Sequence, residues 1–441
     1  MAGIFKAYDI RGIYGDTLTD ELAYKIGRAY ATFLSPGKVV VGLDMRPHSS
    51  GLFEAAARGL VDQGVDVVNV GVVSTPMLYY ANGKLGMDGG IIITASHNPA
   101  EWNGFKLCRE KAIPISGDTG IQEIERIVKE EDFAPKADKP GTIEQCDIAS
   151  DYAAHIRELA DIEQPLKVCV DYANGMGIVE GRALDGLIDI DPIFDTLDGS
   201  FPNHEANPLK AETYVAIQSK MKAGDYDFGV AFDGDADRAG FLDENGEIVS
   251  MDMITALIAK SILQKQAGAA IFYDLRSSKA VKEVIEDNGG RPMMSRVGHA
   301  FIKAQMREAD AVFAGELSGH YYFKENYYTE SSALAVVMVA SILSQSGKTL
   351  SQMVAPFMRY SPSGEINSEV ADTDAVLARL KEQFSGEGEM FELDGVSFEF
   401  GDWRFNVRAS NTEPLIRLNL EADTAEKMAA RRDQVLGIIR G

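Results

Sequence analysis

Cysteine is scarce. Cys108, Cys146 and Cys169 are the only three in 441 residues, and with no Cys-x-x-Cys pair they suggest neither a disulfide framework nor a thiolate metal cluster, which suits a reducing compartment. Long apolar runs are missing as well. The longest, Ala333 to Leu343, has 11 residues against the roughly 20 that cross a bilayer, and it reads as a buried helix. The first residues, MAGIFKAYDIRG, place Lys6, Asp9 and Arg11 where a secretory signal needs an uninterrupted apolar stretch, so a cytoplasmic enzyme without a membrane partner is expected. Positive charge is in deficit: 43 Lys and Arg face 67 Asp and Glu, a formal charge of -24. Such a field repels nucleic acid and anionic membrane, so an anionic substrate needs a local basic pocket or a metal ion. Also absent are Gly-x-x-x-x-Gly-Lys-Ser/Thr and Gly-x-Gly-x-x-Gly, the glycine loops that cradle nucleotide phosphates.

What is present is ordinary globular composition, 45% apolar and 25% charged, long enough for about three domains, with two or four also compatible. The first 100 residues alternate helix and strand signals. Thr19 caps a helix with Asp20 and Glu21 in its first turn and Leu22, Ile26, Ala29 and Phe33 on one face. Val39 to Leu43, Val65 to Val70 and Ile91 to Ile93 read as parallel strands under helices, and Thr75 with Pro76 reads as a further helix start. Similar units are framed by Lys167 to Asp171, Phe228 to Phe232, Ile271 to Leu275 and Ala311 to Ala314. After a linker at Tyr360 to Ser363, a helix from Thr373 to Phe384, short strands and a terminal helix from Thr424 suggest a smaller domain. The expected fold is therefore α/β, with three successive α/β domains (1–145, 146–245 and 246–358) carrying mixed sheets. A C-terminal α+β domain (359–441) closes a central cleft.

Four motifs carry chemistry. Asp233-Gly-Asp-Ala-Asp-Arg238 follows a strand, and its alternate carboxylates suit one hard cation such as Mg²⁺, with ligand positions left for a phosphate oxygen; an acidic solvated turn is the alternative. Thr94-Ala-Ser-His-Asn-Pro99 lies at the carboxyl end of a strand, where open α/β sheets place active residues. It makes Ser96 a candidate nucleophile or phosphate carrier, with His97 beside it and Lys106 a nearby cation; alone it is only a polar turn. Gly315-Glu-Leu-Ser-Gly-His320 offers Glu316 and Ser318 to a polyhydroxy ligand from one face if the segment is extended, while His320 could be structural. Arg408-Ala-Ser-Asn-Thr-Glu-Pro414 with Arg417 forms a candidate phosphate clamp, unless the arginines pair with Glu421 and Asp423. Together these groups suit a phosphosugar held by phosphate and hydroxyls, with phosphoryl chemistry at a metal.

The ordered motifs, with Phe5 to Gly12 at the start, closely resemble the α-D-phosphohexomutase family, in its bacterial phosphomannomutase/phosphoglucomutase branch, over essentially the whole chain. The resemblance implies that Ser96 carries the phosphoryl group and that Asp233, Asp235 and Asp237 hold Mg²⁺ with an oxygen of phosphorylated Ser96. It implies catalytic roles for His97, Lys106 (as a proton-transfer partner), Arg11 and Arg238. Substrate contacts would come from Tyr8, His299, Glu316, Ser318, His320, Arg408, Ser410, Asn411, Thr412 and Arg417. The implied reaction moves a phosphoryl group between the 6- and 1-positions of mannose or glucose phosphates through a hexose 1,6-bisphosphate that turns around in the cleft of a monomer. A phosphoglucosamine mutase is the first alternative, followed by a metal-dependent phosphatase and a phosphosugar-binding protein. The chain departs from the family pattern at Ala100, Glu101 and Trp102, and in the run Lys324 to Ser332, where an aspartate is expected near Glu330.

Overall fold

Helices begin where the sequence supplies caps. In the computed structural model, which describes residues 3–409 and 415–441, Thr19 Oγ1 accepts from Leu22 N and opens the helix Asp20–Leu34. Asp372 and Thr424 do the same for Thr373–Phe384 and Ala425–Arg440. The helix around Pro76 starts one residue earlier than expected. Ser74, not Thr75, is its cap and accepts from Met77 N, because the Thr75 hydroxyl is drawn away to Asp235. The apolar run at 333–343 lies in the buried helix Ser332–Ser346. No single helix among the described residues is long and apolar enough to cross a membrane.

Four sheets follow one another along the chain, and the first three repeat one arrangement. In the first, Gly89–Ile93, Lys38–Leu43 and Asp66–Val72 lie side by side in parallel. Gly89–Ile93 then turns back into antiparallel Trp102–Arg109. The second sheet repeats this with Phe228–Phe232, Lys167–Asp171 and Asp189–Ile193 parallel and Ala239–Leu242 turning back. The third has Phe313–Gly315, Ala270–Asp274 and Arg291–Ser295, with Tyr321–Phe323 returning. The connection between parallel strand and return strand is the serine motif in the first sheet, the aspartate loop in the second and the Glu316 loop in the third. Three of the four sequence motifs thus occupy equivalent corners.

The fourth sheet is antiparallel throughout, in the order Ser361–Glu369, Leu415–Ala422, Trp403–Ala409, Val396–Glu399, Glu389–Phe391. The expected linker at 360–363 is largely strand. Ser361–Glu369 is an edge strand, mostly exposed, with an irregular register between Pro362 and Glu365, so it lacks the apolar alternation that marks a strand in sequence. Apolar packing divides differently from the sheets. One continuous cluster joins Val40, Val68 and Ile92 of the first sheet to Val168, Phe228, Phe313 and Leu334. The fourth domain keeps a separate core around Phe384, Phe398, Trp403 and Phe405.

Candidate active site

The serine corner is held from behind. Ser96 sits in left-handed backbone, φ 52°, a conformation unfavourable for a non-glycine residue that surrounding bonds must enforce. Its N–H donates to Thr94 Oγ1 at 2.9 Å. The buried Arg46 guanidinium donates to the carbonyls of Ser96 (2.9 Å), Asn98 (2.7 Å), Pro99 (2.7 Å) and Trp102 (2.9 Å) and to Asp44 Oδ2 (3.2 Å). Arg11 adds bonds to Ala95 O and Asn98 Oδ1. With its back fixed, Ser96 turns its hydroxyl toward the aspartate loop, donating to Asp233 Oδ2 at 2.9 Å, with His97 Nδ1 at 3.1 Å. Burial, with Arg238 and Arg11 adding to it, holds the His97 imidazole well below its usual range and therefore neutral.

Asp233, Asp235 and Asp237 converge as expected: one oxygen from each lies within 4.8 Å of the others, and all three residues are buried. Asp235 Oδ1 has no hydrogen-bond partner, and burial together with Asp237 and Asp235 pushes the Asp233 carboxyl well up. A buried set of hard oxygen donors, one of them orphaned, fits a divalent cation of the Mg²⁺ kind. Lys106 Nζ reaches Asp235 at 2.6 Å and Asp237 at 2.5 Å. Burial works against its charge, but the two carboxylates outweigh it and raise the ammonium above its ordinary range. Proton transfer by Lys106 therefore requires those contacts to be exchanged for others. A second trio, Asp237, His320 and Glu330, is equally close. Its donors are committed elsewhere, since Lys303 takes both Glu330 oxygens at 2.9 Å. His320 is meanwhile held protonated, its value pushed up to about 9: burial opposes the charge and Asp237 and Glu316 outweigh it.

The Glu316 loop is a tight turn, not an extended segment, closed by Gly319 N to Glu316 O and Glu316 N to His320 O, each 3.0 Å. Glu316 and Ser318 therefore do not share a strand face. His320 collects them instead, with Nδ1 3.1 Å from Glu316 Oε2 and 2.8 Å from Ser318 Oγ, while Nε2 lies 3.3 Å from Asp237. Arg238 Nε lies 3.3 Å from the same Nε2, so the aspartate loop and the Glu316 loop meet at His320. Tyr8 reaches across from the first domain, donating to Val297 O at 3.2 Å, its ring 5.5 Å from that of His299. Gly298 permits this approach: φ is +131° and a Cβ there would lie 2.6 Å from the Tyr8 hydroxyl.

On the fourth domain, Arg408 and Arg417 turn toward one carboxylate, Glu365, at 2.8 and 3.4 Å. Of the carboxylates considered as alternative partners, Glu421 is bound by Arg404 and Asp423 by Lys427. Ser410, Asn411 and Thr412 lie outside the described residues.

Family models for the four phosphoglucomutase/phosphomannomutase domains match the chain in order. The α/β/α domains I, II and III match residues 2–135, 150–246 and 250–360, and the C-terminal domain matches 365–438. A phosphomannomutase of Escherichia coli is 41% identical over 451 residues, 99% of each chain. The chain belongs to the phosphoglucomutase/phosphomannomutase family. A phosphomannomutase of Methanocaldococcus jannaschii, also 41% identical, covers 99% of this chain and 97% of its own. Among crystal structures, a phosphoglucomutase/phosphomannomutase family protein of Burkholderia thailandensis superposes with a TM-score of 0.92 at 33% identity, covering 99% of this chain and 97% of its own. As a member of the α-D-phosphohexomutase superfamily, the chain carries that fold of four successive domains around a cleft, three of them α/β with mixed sheets and the fourth built on an antiparallel sheet.

Several groups that shape this phosphohexomutase site have no motif. Arg46 and Asp44 follow a strand with nothing to distinguish them from a surface pair. Arg276, held by Asp274 at 2.7 Å and 3.9 Å from Glu316, lies in no motif either. Only its position, just past the carboxyl end of the strand Ala270–Asp274, could have pointed to it.

Proposed function

We propose that this chain interconverts the 6- and 1-phosphates of mannose or glucose through phosphorylated Ser96 and a bound hexose 1,6-bisphosphate. The observation that carries the reading is the Ser96 hydroxyl, set by a strained and clamped turn 2.9 Å from Asp233, with Arg11 and Lys106 of the first domain and Arg238 of the second near it. Mg²⁺, held by Asp233, Asp235 and Asp237 with an oxygen of the phosphorylated serine, would neutralise charge on the transferring oxygens. Arg11, Lys106 and Arg238 add fixed positive charge at the same place. His97, neutral and next to the serine oxygen, is placed to take the hydroxyl proton when Ser96 becomes phosphorylated and to return it to the serine oxygen when the phosphoryl group leaves. His320, with Glu316 and Ser318, faces the sugar, and Tyr8 and His299 close its far side. Arg408, Arg417 and the segment 410–412 grip the phosphate that is not reacting; each end of the bisphosphate uses this clamp in turn. The division of these roles among segments 1–145, 146–245, 246–358 and 359–441 is part of the proposal.

Mannose and glucose phosphates are preferred to glucosamine phosphate because the curated relatives named above are phosphomannomutases and Leu317 stands where phosphoglucosamine mutases resemble one another in having glutamine. The test is conversion of the 1-phosphates of mannose, glucose and glucosamine, each with Mg²⁺ and catalytic glucose 1,6-bisphosphate, by wild type and Ser96→Ala. Loss of turnover in the variant, with phosphate found on Ser96 of the wild type by mass spectrometry, is the expected result. Undiminished isomerisation by Ser96→Ala would sink the mechanism, and dominance of the glucosamine substrate would replace the substrate assignment.

A further inference from the structure

Glu180 takes no part in the chemistry above, yet it lies fully buried where three domains meet. It belongs to the helix Gly177–Ala183 of the second domain. Ser74 of the first domain donates to its Oε1. Tyr152 OH (2.9 Å) and Ala333 N of the third domain (3.2 Å) donate to Oε2. Tyr152 OH is also 3.1 Å from Ser331 Oγ. Ser74 and Ser331 are the caps of two helices, Thr75–Lys84 and Ser332–Ser346. One carboxyl therefore ties together two helix starts, where backbone N–H groups and the helix dipole favour an acceptor.

The next residue of each helix holds the aspartate loop. Thr75 donates from N to Asp235 O (3.1 Å) and from Oγ1 to Asp235 Oδ2 (2.5 Å). Ser332 Oγ donates to Ala236 O at 2.6 Å. Ala236 needs such restraint because its φ is 60°, a left-handed conformation that a residue with a Cβ keeps only when its neighbours impose it. Ser74, Thr75, Ser331, Ser332, Asp235 and Ala236 are all at most 1% exposed, so water has no access with which to replace these bonds.

We infer that Glu180 is a positioning residue for the aspartate loop, acting through Ser74–Thr75 on Asp235 and through Ser331–Ser332 on Ala236. Each hydroxyl pair couples two adjacent residues of one rigid helix start, so loosening the cap moves the group that holds the loop. A carboxylate a few tenths of an ångström out of place weakens a cation site whose ligands must converge. The inference rests on the reading of Asp233, Asp235 and Asp237 as the cation loop.

The full-length protein is titrated with Mn²⁺, followed by electron paramagnetic resonance, alongside steady-state kinetics. Glu180→Ala is expected to weaken Mn²⁺ binding at least tenfold and to lower kcat by a similar factor, with KM for the hexose phosphate changed less than twofold. Glu180→Gln keeps an acceptor for Tyr152 and Ala333 and can donate to Ser74 Oγ, so it is expected to restore Mn²⁺ affinity to within threefold of wild type. Ser74→Ala cuts one arm and should lose affinity by itself. In a double variant with Glu180→Ala its effect should not add in full, because both act along one path. If Glu180→Ala does not fold, Ser74→Ala and Glu180→Gln decide the matter. Wild-type Mn²⁺ affinity and kcat in Glu180→Ala or in Ser74→Ala, with only thermal stability lowered, would overturn the inference. No Mn²⁺ binding by the wild type would instead remove the cation-loop reading on which it rests.

Discussion

Gly234, the second residue of the aspartate loop, offers a direct test of how closely two domains must meet. A Cβ built there would lie 2.3 Å from the carbonyl oxygen of Ser96, and ordinary contact begins at 3.4 Å. The serine turn and the aspartate loop would have to part by about 1 Å. Gly234 is not in left-handed backbone, so Gly234→Ala adds no conformational strain of its own and isolates the contact. Overpacking of this kind costs about 1–3 kcal/mol of stability, and a misplacement of about 1 Å costs about 100-fold in rate. The expected result is kcat lower by about two orders of magnitude, with KM for the hexose phosphate nearly unchanged because the phosphate clamp lies on another domain. Gly175→Ala provides a graded comparison, since its Cβ would approach Gly234 O only to 2.9 Å, and its loss should be smaller. Steady-state kinetics with activator present, with urea unfolding as the control for folding, measures both. A folded Gly234→Ala protein with kcat within threefold of wild type would refute the claim that this contact sets the distance between the phosphate carrier and the metal loop.

Other outcomes follow from the same geometry. Arg46→Lys replaces five donated bonds with at most three; unmet buried carbonyls then cost about 2–4 kcal/mol in urea unfolding, and kcat falls because the left-handed Ser96 loses its backing. Chelation of divalent ions should abolish turnover, and restoring Mg²⁺ to about 100 times its Kd should stabilise the protein by about 2.7 kcal/mol, read as a rise in the thermal transition of the first three domains, which hold the aspartate loop. Burial pushes the Glu180 carboxyl, ordinarily near 4.5, up to about 7. Since the folded value lies above the unfolded one, its stabilising contribution is full below about pH 4.5 and is lost as pH rises through about 7. Glu180→Gln, which cannot ionise, should therefore unfold at higher urea than wild type above pH 7, by about 3 kcal/mol at most, with the difference closing toward pH 4.5.

The parts of this molecule that could be read in advance are those where chemistry is local in sequence. The aspartate loop, the serine turn and the helix caps at Thr19 and Thr424 announce themselves because the residues that cooperate are neighbours. The cap at Ser74 was displaced by one residue for the opposite reason: what draws Thr75 away is Asp235, 160 positions later. Arg46 looked like any charged residue after a strand, since its value lies in four carbonyls of a turn about 50 residues on. The edge strand Ser361–Glu369 resembled a linker because its pairing to Leu415–Ala422 buries little of it. The Glu316 loop was expected to be usable if extended, whereas its own backbone bonds fold it into a turn that delivers Glu316 and Ser318 through His320.

The separate apolar core of the fourth domain divides the molecule into two cooperative bodies. The first three domains share a continuous cluster and should melt together. The fourth, joined through Arg404 to the Ser277 carbonyl and through Glu421 to Lys279 N, leaves a cavity of about 220 Å³ at the join, lined by Leu275, Phe357 and Phe398 among others, and should melt on its own. Calorimetry would then show two transitions from four sheets. Reactivity and grip are thereby placed in different thermal compartments: near the lower transition the chain would keep an intact phosphoryl-transfer centre while losing hold of the sugar phosphate, and its failure on heating would register as a rising KM well before kcat declines.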